Sequence, residues 1–498
     1  MRFLSRRKLR PLCIAISLFL AVYFLTRSVV QFQLNQQVEY YRHYFNKNRD
    51  NLQREFNPLE IKQIPGPVID ELYKKRQEDV IKNKKDPIDW NKFAYVNYVA
   101  QRDYLCNTLI MFKALKEDYK TKAKLVLLLT NDVVSELQGD QNLLEKIKDL
   151  DKDQVVVKMV EPIHKNDDYS VWKNSLTKLD IFNLTEFERI VYVDNDANLQ
   201  DNLDELFFLP EYVNFAAPLT YWELKEKDLK KAYKEVKHMK NPINANKYID
   251  KSVARIQNGK MIYNHLPNLP HTLYLNAENI GDDILKSRTV FSISKLFHRV
   301  KPSKVKFTSA LMVIKPNNVT YQNIRDVLIP YALKTKRMYD MDVINEFMYN
   351  LKEIIYDHFS VVKSLKHNYI PEVLVLPFGR YGILTGSIKD YKQHNMMKHD
   401  LLGYQYLDTK GEDVSDDLET VIKNCKYLHY SDYPMGKPWH YDKKETIECK
   451  VDKDSKDKKN EQKICDLWNS VVLPFYGRDD ICPKPIKPSK PGQSSPPS

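Results

Sequence analysis

The stretch Ile190–Leu206, IVYVDNDANLQDNLDEL, decides how the rest of the chain is read. Its first four residues, Ile190, Val191, Tyr192 and Val193, are apolar or β-branched without alternation, the pattern of a strand buried on both faces in a parallel-type sheet. That strand runs directly into Asp194, Asn195 and Asp196. Open α/β sheets bind ligands at the carboxyl ends of their strands, so the Asp-x-Asp sets two carboxylates where a ligand would lie. Hard oxygen donors there suit Mg²⁺ or Mn²⁺ holding a diphosphate. Two acids in a loop are also common by chance, so the apolar strand ahead of them carries much of the reading.

Working outward, the chain alternates between strand and helix patterns. FAYVNYVA, Phe93 to Ala100, reads as a first strand, and the next segment repeats Leu105, Leu109, Phe112 and Leu115 at helical spacing. LVLLLT, Leu125 to Thr130, is a second strand; the segment Asp153 to Val160 supplies a third. SLTKLDIFNLTEFERI from Ser175 reads as a helix feeding the strand that ends at Asp194. Right-handed crossovers then give a mostly parallel sheet, an α/β fold. Farther on, Ala216–Trp222, Phe307–Asn317 and VLVLPFGRYG from Val373 read as strands. A Lys-rich helical insert occupies Glu223–Lys260, and Tyr339–Asn350 opens a helix. After Trp439 come a charged loop, a short CDLWNSVVLPFY helix and a disordered Lys/Pro tail.

The amino terminus carries Arg2, Arg6, Arg7, Lys8 and Arg10 ahead of PLCIAISLFLAVYFL, Pro11 to Leu25. With Arg27 snorkelling, this run spans a thin bilayer, and the positive flank stays in the cytosol. A cleaved signal peptide is the rival, but no small-x-small site follows. The organisation expected is a cytosolic tail (1–10), a signal-anchor transmembrane helix (11–30), a lumenal stem (31–91), a catalytic head (92–440), and a Cys-containing extension with a disordered tail (441–498). Net charge is +12, yet Lys and Arg are interleaved with 66 acids and no zinc-finger or RNP-type motif occurs, which argues against nucleic acid. Cys106 reads as a buried free thiol on an apolar helix. Cys425, Cys449, Cys465 and Cys482 allow up to two disulfides in three pairings. A zinc site is their alternative, although C-x-x-C is absent. Sequons at Asn183 and Asn318 are candidate glycan acceptors in a secretory lumen.

Several segments, among them KFAYVNYV, DYLCNTLI, DELFFLP, FAAPLTYW, MIYNHLPNLPH, PEVLVLPF and the late His429 followed by Lys437-Pro438-Trp439, resemble glycosyltransferase family 8, the glycogenin-like GT-A enzymes. The resemblance implies a GT-A nucleotide-sugar transferase fold with a mostly parallel mixed sheet. It implies that the first strand, with Asn97 and Tyr98, and Tyr104 border the uracil and ribose, with Lys178 and Asn195 near the donor. Asp194, Asp196 and His429 would hold Mn²⁺ or another divalent cation, and Lys437 would add a fixed cation beside the diphosphate. Asp340 matches a family acid and is the candidate catalytic group, for acceptor positioning or cation stabilisation; a helix N-terminal acid favoured by the dipole is its structural alternative.

The activity implied is retaining transfer of GlcNAc from UDP-GlcNAc to mannose residues of N-linked, mannan-type glycans. The implied setting is the Golgi membrane, with a single-pass type II anchor and the head in the lumen. Two features depart from the family pattern. HYSDYPMGK is longer than the usual His-to-Lys segment, and Met341 stands where many members have Gln, so no amide oxygen follows Asp340. The diphosphate motif does not see the 2-acetamido group, so UDP-glucose or UDP-galactose stays open as donor. A membrane-tethered, non-catalytic glycan-binding protein is the alternative from another class.

Overall fold

The computed structural model describes residues 6–49, 51–52, 55–82, 86–136, 141–165, 168, 170, 172–237, 245–275, 280–287, 302–359, 370–388, 418–431, 437–440 and 458–476. The strand ahead of Asp194 lies at the middle of a seven-stranded sheet. In chain order the strands are β1 (Phe93–Val99), β2 (Lys124–Thr130), β3 (Val155–Val160), β4 (Arg189–Val193), β5 (Ala197–Leu199), β6 (Phe215–Ala217), β7 (Leu311–Ile314), β8 (Val373–Val375), β9 (Ile383–Leu384) and β10 (Tyr427–His429). The large sheet runs β3-β2-β1-β4-β7-β6-β8. The pairs β2/β3, β1/β2, β1/β4 and β6/β8 are parallel, while β4/β7 and β6/β7 are antiparallel. The mostly parallel mixed sheet expected is therefore present.

The unbroken apolar runs follow from burial on both faces. Ile190 and Tyr192 face one core, which also takes Ala94, Val96 and Tyr98. Val191 and Val193 face the other, beneath the helix α3 (Asp103–Lys113), which contributes Leu105, Leu109 and Phe112. All four strand residues are at most 1% exposed, so cutting Ile190 to Ala would cost about 2–5 kcal/mol. A second, three-stranded sheet runs β5-β10-β9 and stands at the carboxyl end of β4.

Several expected elements differ. The helix read from Ser175 is a 3₁₀ segment, Ser175–Asn183. The strand read at Ala216–Trp222 is the shorter Phe215–Ala217, and that read at Phe307–Asn317 is Leu311–Ile314, with Leu219 and Phe307 joined by an isolated antiparallel bridge. CDLWNSVVLPFY belongs to a longer helix, Lys458–Tyr476, which takes in the end of the segment expected as a charged loop. The expected tail lies outside the described residues.

The region expected as a stem packs into the head instead. Leu59, Ile61, Ile64, Val68 and Ile69 are at most 2% exposed, the last two on the helix α2 (Gly66–Lys82). Ile64 N donates to the Val375 carbonyl (3.0 Å) and Val375 N to the Lys62 carbonyl (3.0 Å), so this stretch covers the edge strand β8 and pairs its open hydrogen bonds. The mixture of charged and aromatic residues hid a buried apolar face.

One helix, α1 (Arg6–Asn48), runs through both the apolar segment and the first part of that region. It is long and apolar enough to cross a membrane, and Leu18 and Phe19 of its apolar part are 62% and 71% exposed. Its later turns dock: Val38 and Phe45 are buried, and Tyr41 Oη lies 3.1 Å from His358 Nε2. Gly281, in the helix Ile280–Ser287, permits the closest approach, since a Cβ there would stand 2.1 Å from Asn35 Oδ1. Arg27 meets Asp282 at 3.9 Å, an ion pair with the head rather than a snorkelling cation alone.

Cysteine usage also differs from expectation. Cys106 and Cys465 are disulfide-bonded. Cys425 is a buried free thiol that accepts from Gln200 Nε2 (2.9 Å) and donates to the Ile422 carbonyl (3.2 Å). Burial raises its pKa, so the enclosed thiol is inert. Cys449 and Cys482 lie outside the described residues. Both sequon asparagines, Asn183 and Asn318, are exposed.

Candidate active site

The ladder between β4 and β7 continues one bond past Val193, from Asp194 N to the Ala310 carbonyl (2.8 Å), which fixes the backbone where the acidic triplet begins. The strand ends at Val193, and the two carboxylates that follow reach one space from different surroundings. Asp194 shares the face of Tyr192, whose hydroxyl donates to Asp194 Oδ1. On that face Lys178 Nζ sits 2.9 Å from Asp194 Oδ1, 3.3 Å from Asp340 Oδ2 and 5.3 Å from the Tyr192 ring centre. Lys178 comes from the 3₁₀ segment, and Asp340 opens a short helix that runs into a π-turn, Ile344–Met348. Asn345 in that turn ties it down, bonding Phe307 N (2.6 Å) and the carbonyls of Phe307 and Met341 (2.8 Å each).

Asp196 meets a second set of partners. Lys437 Nζ donates to Asp196 Oδ2 (2.7 Å) and to Tyr104 Oη (3.1 Å). His429 Nδ1 lies 3.5 Å from Asp196 Oδ1 and 3.3 Å from Tyr427 Oη. This meeting depends on the second sheet: β10 pairs antiparallel with β5 in a register that sets His429 opposite Ala197, and Tyr430 N donates to the Asp196 carbonyl (2.8 Å). Tyr104 and Trp439 close the side of the site with ring centres 5.4 Å apart at 83°. Residues 432–436, between His429 and Lys437, lie outside the described residues.

Ligand atoms of Asp194, Asp196 and His429 all lie within 4.8 Å of one another, and all three side chains are partly exposed. Two carboxylate oxygens and an imidazole nitrogen fit a Mn²⁺-like ion. Charge favours one as well: Asp194, Asp196 and Asp340 bring three negative charges against the two ammonium groups of Lys178 and Lys437. Burial pushes the Asp194 carboxyl up, and Lys178 offsets this only in part. Asp196 behaves oppositely: burial alone would raise it, but His429 and Lys437 hold it down to about 2. Burial disfavours the Lys178 ammonium, yet Asp194 and Asp340 outweigh that and raise its pKa above the ordinary lysine range.

The expected site residues thus converge, but not all face a ligand. Asn97 is 1% exposed and braces the site from within, donating to the Val193 carbonyl (2.7 Å) and accepting from Thr108 Oγ1 (2.5 Å). Asn195 Nδ2 donates to the Tyr98 carbonyl (2.6 Å). The hydroxyl of Tyr98 is buried against the Asn174 carbonyl (2.9 Å), which raises its pKa through desolvation. Sequence reasoning missed Asn107, which donates to the carbonyls of Asn195 and Ala197 and shapes the acidic turn. It also missed Thr108, Tyr427 and Asn345. The polar pair Asn107-Thr108 inside an apolar helix was the available signal, since buried amides need partners.

No family model matches the chain. The chain is 48% identical over 492 residues to glucose N-acetyltransferase 1 of Saccharomyces cerevisiae, covering 97% of this chain and 100% of that protein. It is 47% identical over 497 residues to the protein of the same name from Candida glabrata, covering 98% of each. Among solved structures, the galactosyltransferase LgtC in complex with donor and acceptor sugar analogues aligns at a TM-score of 0.36 and 11% identity, over 76% of this chain and 96% of that one. Nearly half of its residues are shared with the two fungal relatives along almost its whole length, and the chain belongs to the glucose N-acetyltransferase 1 family of glycosyltransferases.

Proposed function

We propose that the chain transfers GlcNAc from UDP-GlcNAc, with retention, to mannose residues of N-linked, mannan-type glycans, using Mn²⁺ or another divalent cation. Its setting is the Golgi membrane, held by a single-pass type II anchor with the head in the lumen. One observation carries the reading: the ligand atoms of Asp194, Asp196 and His429 within 4.8 Å, with Lys178 and Lys437 on either side. Membership of the family supports GlcNAc as the sugar moved.

A divalent cation bound here supplies Lewis acidity toward the diphosphate. The protein's own groups do the remaining work. Lys437, steadied by Asp196 and Tyr104, presents a fixed ammonium beside the place where the nucleotide leaves. Tyr104 and Trp439 offer aromatic surface to the uracil. Asn97, Asn107 and Asn195 hold the acidic turn in shape, so little reorganisation accompanies reaction. Asp340, held 3.3 Å from Lys178, steadies the positive charge that develops on the sugar and positions the acceptor hydroxyl.

With Met341 in place of an amide, the favoured route is same-face transfer, in which a departing phosphate oxygen takes the proton of the acceptor hydroxyl. UDP release measured with UDP-GlcNAc, UDP-glucose and UDP-galactose on a mannose-terminated glycan tests donor and class together. UDP-GlcNAc should be preferred and the NMR signal of the new linkage α-anomeric. A β linkage overturns retention, another preferred donor overturns the sugar assignment, and no release with any donor points to a glycan-binding protein.

A further inference from the structure

Beside the acidic centre the chain exposes an aromatic surface that the chemistry above leaves unused. Trp172 is 55% exposed and packs against Tyr339, with ring centres 5.7 Å apart and planes at 58°. Tyr339 immediately precedes Asp340, and Asp340 N approaches Ser175 Oγ at 3.5 Å, so both ends of the aromatic pair are tethered to the candidate catalytic group.

The pair is held from behind. Lys165 Nζ lies 5.4 Å from the Tyr339 ring centre, and its charge is satisfied by the carbonyls of Ala332 and Met338 at 3.1 Å and by that of Thr335. Polar atoms rim it: Tyr339 Oη donates to Asp168 Oδ2 (2.8 Å), lies 3.3 Å from Ser170 Oγ, and Asp168 Oδ1 accepts from Ser170 N (2.8 Å).

The indole of Trp172 is open to solvent over more than half its surface, with the Tyr339 ring packed beside it. The geometry fits a pyranose. A sugar ring has an apolar face of axial C–H groups and a polar rim of hydroxyls, so it matches a fixed aromatic face bordered by a carboxylate and a hydroxyl.

We infer that Trp172 and Tyr339 form the acceptor platform, on which the sugar ring receiving the transfer, or the ring next to it, stacks while Asp168 and Ser170 bond its hydroxyls. This rests on the glycan-transfer reading of the acidic centre and adds where the acceptor binds. Trp172 sets acceptor affinity and specificity; it takes no part in the transfer step.

The test is calorimetric titration of α-linked mannotriose into the full-length protein in detergent with UDP and Mn²⁺ present, for wild type, Trp172→Ala and Trp172→Phe. Acceptor and donor KM for GlcNAc transfer are measured beside it. Trp172→Ala should weaken mannotriose binding and raise its KM roughly five- to ten-fold, a loss in the range of one aromatic stacking contact, with donor KM within about twofold. Trp172→Phe should recover most of the loss, which a merely structural role for an exposed side chain would not give. Mannotriose binding to Trp172→Ala within twofold of wild type overturns the platform, as does wild type that turns over UDP-GlcNAc but does not bind mannotriose. Binding that depends on Trp172 without turnover of UDP-GlcNAc upholds the platform and refutes the donor assignment instead.

Discussion

Replacing Lys178 by Met removes the ammonium between Asp194 and Asp340 while keeping most of its hydrocarbon stem. At an effective dielectric of about 20, a unit pair attracts by about 6 kcal/mol at the 2.9 Å separation from Asp194 and by about 5 kcal/mol at the 3.3 Å separation from Asp340. The cost of burying the ammonium cancels much of this. What remains on deletion is two carboxylates without their shared cation, Asp194 keeping the Tyr192 hydroxyl as a donor, a loss of up to about 3–5 kcal/mol.

In metal-free buffer, Lys178→Met should therefore melt several degrees below wild type, read by differential scanning fluorimetry. Adding Mn²⁺ should raise the variant's Tm more than that of wild type, because the ion restores positive charge at an unbalanced cluster. A metal-free Tm within a degree of wild type, or a Mn²⁺ shift smaller than that of wild type, refutes the charge account of the site.

Other outcomes follow from the same structure. Asp340→Asn should lower kcat by roughly two orders of magnitude while leaving the KM for UDP-GlcNAc within a few-fold, because Asp340 is assigned to the transition state and not to donor binding. Glu235 accepts from the backbone N–H groups of His271 and Thr272 (2.8 and 2.9 Å). Burial would raise its pKa, but those bonds and His271 bring it down to about 2 from 4.5. Its stabilisation is thus complete above about pH 4.5 and is lost as pH falls toward about 2, so Glu235→Gln should flatten the acid limb of a Tm-against-pH curve over that window. Gly281→Leu should loosen the docking of α1 at Asn35 by about 1–3 kcal/mol and expose residues 30–48 to limited proteolysis. If the head is lumenal, as proposed, Asn318→Gln should remove a glycosidase-sensitive mass from the protein.

The central strand and its acids were legible because a fully buried strand leaves an unbroken apolar run, and β1, β2 and β3 could be read the same way. The partner of Asp196 was legible only through family likeness. His429 reaches it by the pairing of two three-residue strands separated by more than two hundred residues, too short to leave a periodic signal. The region after the apolar N-terminal segment differs from its reading for another reason. Its apolar residues are sparse, yet each of Leu59, Ile61 and Ile64 is buried, because the edge of β8 needs a covering segment and that demand belongs to the sheet. Cys106 looked like a packed thiol from its helical spacing, whereas disulfide bonding depends on which segments fold back over α3. Asn97 was expected to touch the nucleotide, but the alternation along β1 turns it toward Thr108 on α3, where it works through the backbone of β4.

The most direct test of the central claim is GlcNAc transfer from UDP-GlcNAc to a mannose-terminated glycan by EDTA-treated protein, with Mn²⁺ titrated back into wild type and Asp196→Ala. Wild type should be inactive in EDTA and regain turnover with Mn²⁺, and the variant should stay inactive throughout while melting cooperatively. Full turnover in EDTA, or an active Asp196→Ala protein, would contradict the assignment of Asp194, Asp196 and His429 as the metal-dependent centre of a sugar transferase.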